Sequence, residues 1–226
     1  MNMKPITVLL AEDHEIVREG FRCLLKHEHD IEVIAEAETG RQAVQLTRKL
    51  RPAVVVMDIA MPLLNGLEAT RQIRKDCPDT KVLILSAHSD DAYVEQVAAL
   101  GAAGFLLKQT SAQVLAKAIR EIQKGNTFFS PAVSKRLQAD LRNPAGRGKL
   151  QTIRNRLSSR EVEVLQLIAE GKPNKQVAAE LGVSFKTVDK HRQHLMAKLN
   201  IHDTAGLTRY AISAGIIESS VQLTII

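Results

Sequence analysis

No stretch of this 226-residue sequence approaches the roughly 18 consecutive apolar residues of a membrane-spanning helix, so none is expected. The N-terminal end carries no charged segment followed by an apolar one and a cleavage site, so no secretory leader is expected. Cysteine is scarce: Cys23 and Cys77 are the two present, far apart and in no CxxC pair. That usage speaks against a redox or zinc site and for two reduced packing residues in a cytoplasm. There is no internal repeat and no low-complexity tract, so a repeat architecture is not expected.

What is present suits packed cores. Hydrophobic residues make up 45% of the chain, and its length fits one large or two modest domains. The formal net charge of +6 is uneven. Residues 1–124 hold 16 Lys+Arg against 17 Asp+Glu, whereas residues 125–226 hold 15 against 8. The excess positive charge belongs to the C-terminal part, which points to a polyanionic partner for that part.

The first 124 residues alternate short apolar runs with longer amphipathic ones. Strands are predicted at Ile6–Leu10, Glu32–Ala35, Ala53–Met57, Val82–Leu85 and Gly104–Leu107, with helices near 14–26, 39–50, 65–75, 91–100 and 111–124. Five strands each followed by a helix predict an α/β doubly wound parallel sheet. The first, third and fourth runs are almost continuously apolar, as when both sheet faces are covered. Such sheets bind ligands beyond the carboxyl ends of their strands.

Chemistry-bearing residues fall at that edge. Glu12-Asp13 follows the first strand, Asp58 the third, Ser86 the fourth and Lys108 the fifth. Three carboxylates and an ammonium would converge there. Mg2+ takes oxygen ligands and commonly one or two carboxylates, so Glu12, Asp13 and Asp58 can hold it. Beside such an ion Asp58 can attack phosphorus as a nucleophile, and Lys108 and the Ser86 hydroxyl can neutralise and hold the phosphoryl oxygens. Each residue alone is an ordinary loop residue; the ordered set is the signal.

Glu12-Asp13, Met57-Asp58-Ile59-Ala60-Met61-Pro62 with Gly66, Leu85-Ser86-Ala87 and Phe105-Leu106-Leu107-Lys108 together resemble the receiver domain of two-component response regulators. The resemblance implies strand order 2-1-3-4-5 and that Asp58 takes a phosphoryl group from a sensor histidine kinase. It further implies that the Ala60 carbonyl joins Glu12, Asp13 and Asp58 around Mg2+, and that Phe105 is a switch aromatic that turns inward on activation. Plain core packing is the alternative for Phe105.

After Lys124 the composition changes. Gly125-Asn126 stops a helix, and Ser130-Pro131 can start a short one ending near Leu141. Residues 142–156 carry five basic residues and no acidic one and read as a flexible linker, so 125–156 joins a first domain, 1–124, to a second, 157–218. Helices are predicted there from Ser158 or Ser159 to Glu170, from an Asn174 cap to Leu181, from a Ser184 cap to Leu199, and from an Asp203 cap to Ala214. Residues 219–226 are an uninformative tail.

The second and third of these helices, joined by Gly182-Val183, form a helix-turn-helix. Val188, Leu195 and Leu199 share one face of the third helix. Lys186, Asp189, Lys190 and Gln193 lie opposite, near its start, where a helix in the major groove meets base edges. Thr187, Lys175 and Arg192 are candidate phosphate contacts. Phe185 could touch a thymine methyl or cover the bundle, and His191 could read DNA or sit satisfied at the boundary. Leu157-Ser158-Ser159-Arg160-Glu161, Asn174-Lys175-Gln176-Val177-Ala178, Lys186-Thr187-Val188 and Lys198-Leu199 resemble the LuxR-type module, and the whole is similar to the NarL/FixJ class.

That resemblance implies a cytoplasmic, phosphorylation-controlled transcription regulator that binds promoter double-stranded DNA and forms a homodimer when phosphorylated. It is not expected to act as an enzyme on outside substrates. The rival readings are a phosphatase using Asp58, a binder of protein or RNA, and a ligand-sensing transcription factor. The first lacks a visible general acid, and the β/α alternation does not suggest the ligand pocket of the last.

Overall fold

The computed structural model describes residues 4–87, 97–129 and 157–217. The chain divides into two compact units, Met1–Arg147 and Gly148–Ile226. The first contains β1 (Ile6–Ala11), α1 (Glu15–Leu25), β2 (Ile31–Ala37), α2 (Gly40–Leu50), β3 (Val54–Asp58), α3 (Gly66–Asp76), β4 (Lys81–Ser86), β5 (Gly104–Leu107) and α4 (Ala112–Gln123). Its five strands are parallel in the order β2-β1-β3-β4-β5, the doubly wound order expected from the sequence.

Side chains alternate across a strand, and here both sides are buried. Leu9, Val55, Met57 and Ile84 enter one core with Val44, Leu67 and Ile73 of α2 and α3. Val8, Leu10, Val56 and Leu83 enter the other with Phe21 of α1 and Leu115 and Ile119 of α4. The outer strand β2 is longer than its predicted core, because its polar residues such as Glu32 need only half-cover at an edge. Of the helix expected near 91–100, residues 97–99 are helical; residues 91–96 lie outside the described residues.

The boundary set at Lys124 needs correction. Gly125, at φ 92°, does end α4, but the chain then returns to the sheet. Phe105 N–H donates to the Phe128 carbonyl at 2.9 Å, and Phe128 N–H donates to Ala103 at 2.9 Å. The four-residue edge strand β5 leaves backbone groups unpaired, and Phe128 satisfies them while packing on one core, with Phe129 on the other. The first unit therefore includes at least residues 125–129. The short helix expected at 130–141, the linker to 156 and the tail 219–226 lie outside the described residues.

The second unit holds α5 (Ser159–Ala169), α6 (Asn174–Leu181), α7 (Phe185–Leu199) and α8 (Thr204–Ser213), the expected all-α helix-turn-helix unit. α5 is buried nearly all round and touches the other three, as a central helix must be. Ser158 forms a full capping box with Glu161; Ser184 and Asp203 cap α7 and α8 through their side chains. The Asn174 cap was misplaced. Pro173 is the N-cap and offers no side-chain bond, while Asn174 is the first helical residue and its Oδ1 accepts from Arg192 Nη1 at 3.2 Å.

One glycine has a steric reason that bears on the carboxyl edge. A Cβ on Gly66 would lie 1.9 Å from the Asp58 carbonyl oxygen, so α3 starts against the backbone of Asp58 only because that position lacks a side chain. Gly66→Ala is expected to lower the unfolding free energy by about 2 kcal/mol or more. Gly20→Ala, at an exposed position of α1 with nothing within 4 Å of the new methyl, is expected to raise it by about 0.5–1 kcal/mol. Urea denaturation of the two variants checks both signs.

Candidate functional site

Strand register assembles the first site. Ala11 pairs with Met57, Asp58 with Leu85 and Ser86 with Leu107, so Glu12, Asp58, Ser86 and Lys108 all arrive at the same sheet edge. Lys108 N–H donates to the Ser86 carbonyl at 2.8 Å, tying the last two together. Glu12 and Asp58 are each 2% exposed and Ser86 4%; Asp13 is half-buried. Lys108 Nζ lies 2.8 Å from Glu12 Oε2 and 3.0 Å from Asp58 Oδ2. His14 Nδ1 lies 2.9 Å from Asp13 Oδ1 and 3.1 Å from Glu12 Oε1.

The Lys108 ammonium faces two carboxylates, Glu12 and Asp58, with Asp13 against His14, and the electrostatics follow from that. Burial, then the neighbouring Glu12 charge, pushes the Asp58 carboxyl up from 3.8 to about 6; Lys108 opposes this without cancelling it. Burial works against the Lys108 charge, but Asp58 and Glu12 outweigh it and hold the ammonium above its ordinary range. A hydrogen bond to Glu12 and the charge of Asp13 likewise raise the His14 imidazole.

The oxygens suit a hard cation. Glu12 Oε2, Asp13 Oδ1 and Asp58 Oδ2 are buried without a hydrogen-bond donor in good alignment. Lys108 and His14 approach them closely, but as charge contacts. Ligand atoms of Glu12, Asp13 and His14 lie within 4.8 Å of one another. Buried carboxylate oxygens with excess negative charge and unfilled lone pairs fit Mg2+. Ala60 follows Asp58 by two residues and is half-buried. Phe105 is inward, 9% exposed, in the core with Ile84 and Met57.

The sequence reading missed Arg18. It is buried, and its Nη1 donates to the Glu12 carbonyl at 2.8 Å. No local pattern announces this, since its partners come from β2 and the β1–α1 turn.

The second site lies on α7. Lys186, Lys190 and Gln193 are exposed; Asp189 is half-exposed and accepts from Gln193 Nε2 at 2.9 Å. A shallow groove is lined by Ser184, Lys186, Thr187, Lys190, His191 and His194. His194, not singled out beforehand, follows Lys190 by four residues, a spacing that could have placed it on this face. Lys175 is exposed on α6, and Phe185 is 57% exposed. Thr187 Oγ1 lies 2.8 Å from Ser184 Oγ. Arg192 bonds Asn174 at 3.2 Å and Thr204 Oγ1 at 2.6 Å, so it joins α6, α7 and α8, and a phosphate would have to use its remaining N–H groups.

An α/β unit with a buried acidic edge, followed by a helix-turn-helix unit, defines a class of regulator. The description "Response regulator receiver domain" matches residues 8–120, and "Bacterial regulatory proteins, luxR family" matches residues 155–211. The transcriptional regulatory protein LiaR of Bacillus subtilis (strain 168) is 39% identical over 206 residues, covering 91% of this chain and 96% of LiaR. The oxygen regulatory protein NreC of Staphylococcus carnosus (strain TM300) is 37% identical over 214 residues, covering 93% and 99%. A solved structure of two RcsB dimers bound to two parallel DNAs is 29% identical, with a TM-score of 0.56 and coverage of 93% and 99%. The chain belongs to the response regulators that join a receiver domain to a LuxR-type DNA-binding domain, and it is a transcription regulator. Among the described residues no helix is long and apolar enough to cross a membrane.

The raised Asp58 pKa has a stability consequence. Between pH 3.8 and about 6 the folded chain holds more protons at Asp58 than the unfolded chain, so this group's contribution falls as pH rises through that window. Asp58→Asn is therefore expected to be more stable than the parent at pH 7.5, by about 3 kcal/mol. The advantage should shrink from pH 6 downward and vanish near pH 4. Thermal unfolding across pH checks this; a constant difference would contradict it.

Proposed function

We propose that Asp58 is the phosphoacceptor and that its modification governs DNA binding by the C-terminal unit. The observation that carries this is the contact of Lys108 with both Glu12 and Asp58 at the carboxyl edge of the sheet. An Asp58 oxygen attacks the phosphorus of a phosphohistidine on the cognate sensor kinase. The P–N bond breaks, the leaving imidazole nitrogen keeps the electron pair, and an aspartyl phosphate forms. Lys108 neutralises charge on the phosphoryl oxygens, and the Ser86 hydroxyl donates to one of them. Glu12, Asp13, Asp58 and the Ala60 carbonyl would hold Mg2+, which supplies further positive charge to the transferring group.

Phosphorylation adds about two negative charges at Asp58. The response is a shift of Ser86 and Lys108 toward that charge, with Phe105 filling the space that Ser86 leaves, which alters the surface around residues 88–110; residues 88–96 of this surface lie outside the described residues. The altered surface favours a homodimer, with a coupling of about 1–3 kcal/mol between phosphorylation and DNA affinity. Dimers of RcsB on DNA support a paired arrangement. Two α7 helices would then read half-sites about one helical turn apart in promoter DNA. Lys186, Asp189, Lys190 and Gln193 read base edges, and Lys175, Thr187 and the outer face of Arg192 contact phosphates.

Asp58→Asn is expected to lose labelling by acetyl phosphate in the presence of Mg2+; an equally labelled variant would remove Asp58 from the role. Lys190→Ala and Gln193→Ala should weaken specific binding more than non-specific binding, by about 1–3 kcal/mol for a bidentate base contact. Lys175→Ala should weaken both alike and reduce the salt slope by about 1. Titrations of operator and random DNA at several salt concentrations separate these outcomes.

A further inference from the structure

We infer that Arg18 is a positioning residue that sets the cation-binding geometry of Glu12-Asp13; this rests on the reading of that pair as the Mg2+ site. Arg18 lies on α1 and is 7% exposed. Its guanidinium is engaged on three sides. Nη1 donates to the Glu12 carbonyl at 2.8 Å, Nε to Glu36 Oε2 at 3.2 Å, and Nη2 to Glu38 Oε1 at 3.2 Å. Glu36 is the last but one residue of β2 and Glu38 lies just beyond the strand. Glu12 N–H donates to the Ala37 carbonyl at 3.0 Å. Both backbone polar groups of Glu12 are thus tied to the β2 side of the sheet, one directly and one through Arg18.

The Glu12 carbonyl belongs to the peptide plane that joins Glu12 to Asp13. That plane is rigid, so holding its oxygen fixes where the Asp13 N–Cα bond points and narrows the directions open to the Asp13 side chain. A turn after a strand has no ladder to fix this plane, and Arg18 supplies the missing restraint. Glu36 and Glu38 aim the planar fork so that Nη1 faces inward. A lysine has no fork and cannot bond in three fixed directions at once. Arg18 meets Glu12 at its backbone carbonyl and not at its carboxylate, so it would act through the acidic pair.

Groups that orient ligands commonly change metal affinity by 10–100-fold when removed. Arg18→Gln is expected to weaken Mg2+ binding by about tenfold, and Arg18→Lys, which keeps a charged donor, by less. The full-length chain is titrated with Mn2+, free Mn2+ being read by electron paramagnetic resonance, with Mg2+ as competitor. Acetyl phosphate labelling is measured across Mg2+ concentrations in parallel. The Mg2+ concentration for half-maximal labelling should rise by the same factor, with the saturated rate little changed. Unchanged cation affinity in a folded variant overturns the inference, as does a slower saturated rate with an unchanged half-saturation point. If Arg18→Gln does not fold, Arg18→Lys decides by the same two readouts. A parent chain that binds Mg2+ but is not labelled overturns the phosphoacceptor reading and leaves Arg18 to be judged on the Mn2+ titration. A parent chain that binds no Mg2+ overturns both.

Discussion

The parallel register of β1, β3, β4 and β5 forces more negative charge into one buried edge than the cations there can balance. The contacts at the carboxyl edge follow from that imbalance. Lys108 reaches across to both Glu12 and Asp58, His14 leans on Glu12 and Asp13, and three carboxylate oxygens remain without an aligned donor. Two apolar cores, one on each side of the sheet, hold the strands in line against the repulsion. Strands free to slip by one residue would send alternate side chains to the other face and lose both cores, so the charged edge cannot relax by changing register.

The second unit also buries an acid, with the opposite result. Glu161 is 3% exposed, and burial works against its charge. Yet Lys198 Nζ at 2.8 Å and the Ser158 cap outweigh burial and hold the carboxyl below its usual range. The two motif fragments around Ser158 and Lys198 are therefore one structural feature: a matched pair that locks α7 to the start of α5. A buried carboxylate whose charge is matched serves the fold. One whose charge is in excess, like Asp58, is available for a cation and for chemistry. A carboxylate takes either role according to the count of cations around it.

Much of this was legible in the chain. Strand and helix order followed from the apolar periodicity, and the β5 bounds matched at both ends. Of the caps, those at Ser184 and Asp203 were readable, and Ser158 as one of two adjacent candidates, because a cap side chain bonds a backbone group two or three residues on, which is local information. Asn174 misled for the same reason: it is a cap-forming residue type, but Pro173 ahead of it already fits the extended cap position, and Asn174 instead takes a bond from Arg192. Phe128 was assigned to a linker because Gly125-Asn126 is a strong stop signal; its pairing with β5 depends on an edge strand that precedes it by more than twenty residues. The acidic edge was legible as an ordered set, but Arg18 was not. Its partners come from the β1–α1 turn and from the far end of β2, and a lone arginine on an amphipathic helix reads as a solvated side chain.

The sequence by itself determined the kinds of element and their order, which residues could carry phosphoryl chemistry, and which face of α7 is polar. Periodicity, caps and turn residues act over a few positions and are written directly into the chain. Only the tertiary structure decided which oxygens lack a donor, how far Asp58 departs from an ordinary carboxylate, and which side chains are already committed, as Arg192 is to Asn174 and Thr204. Those quantities depend on distances between segments remote in sequence and on the water that burial removes. Coulomb and desolvation energies are therefore set only when the strands and helices have packed.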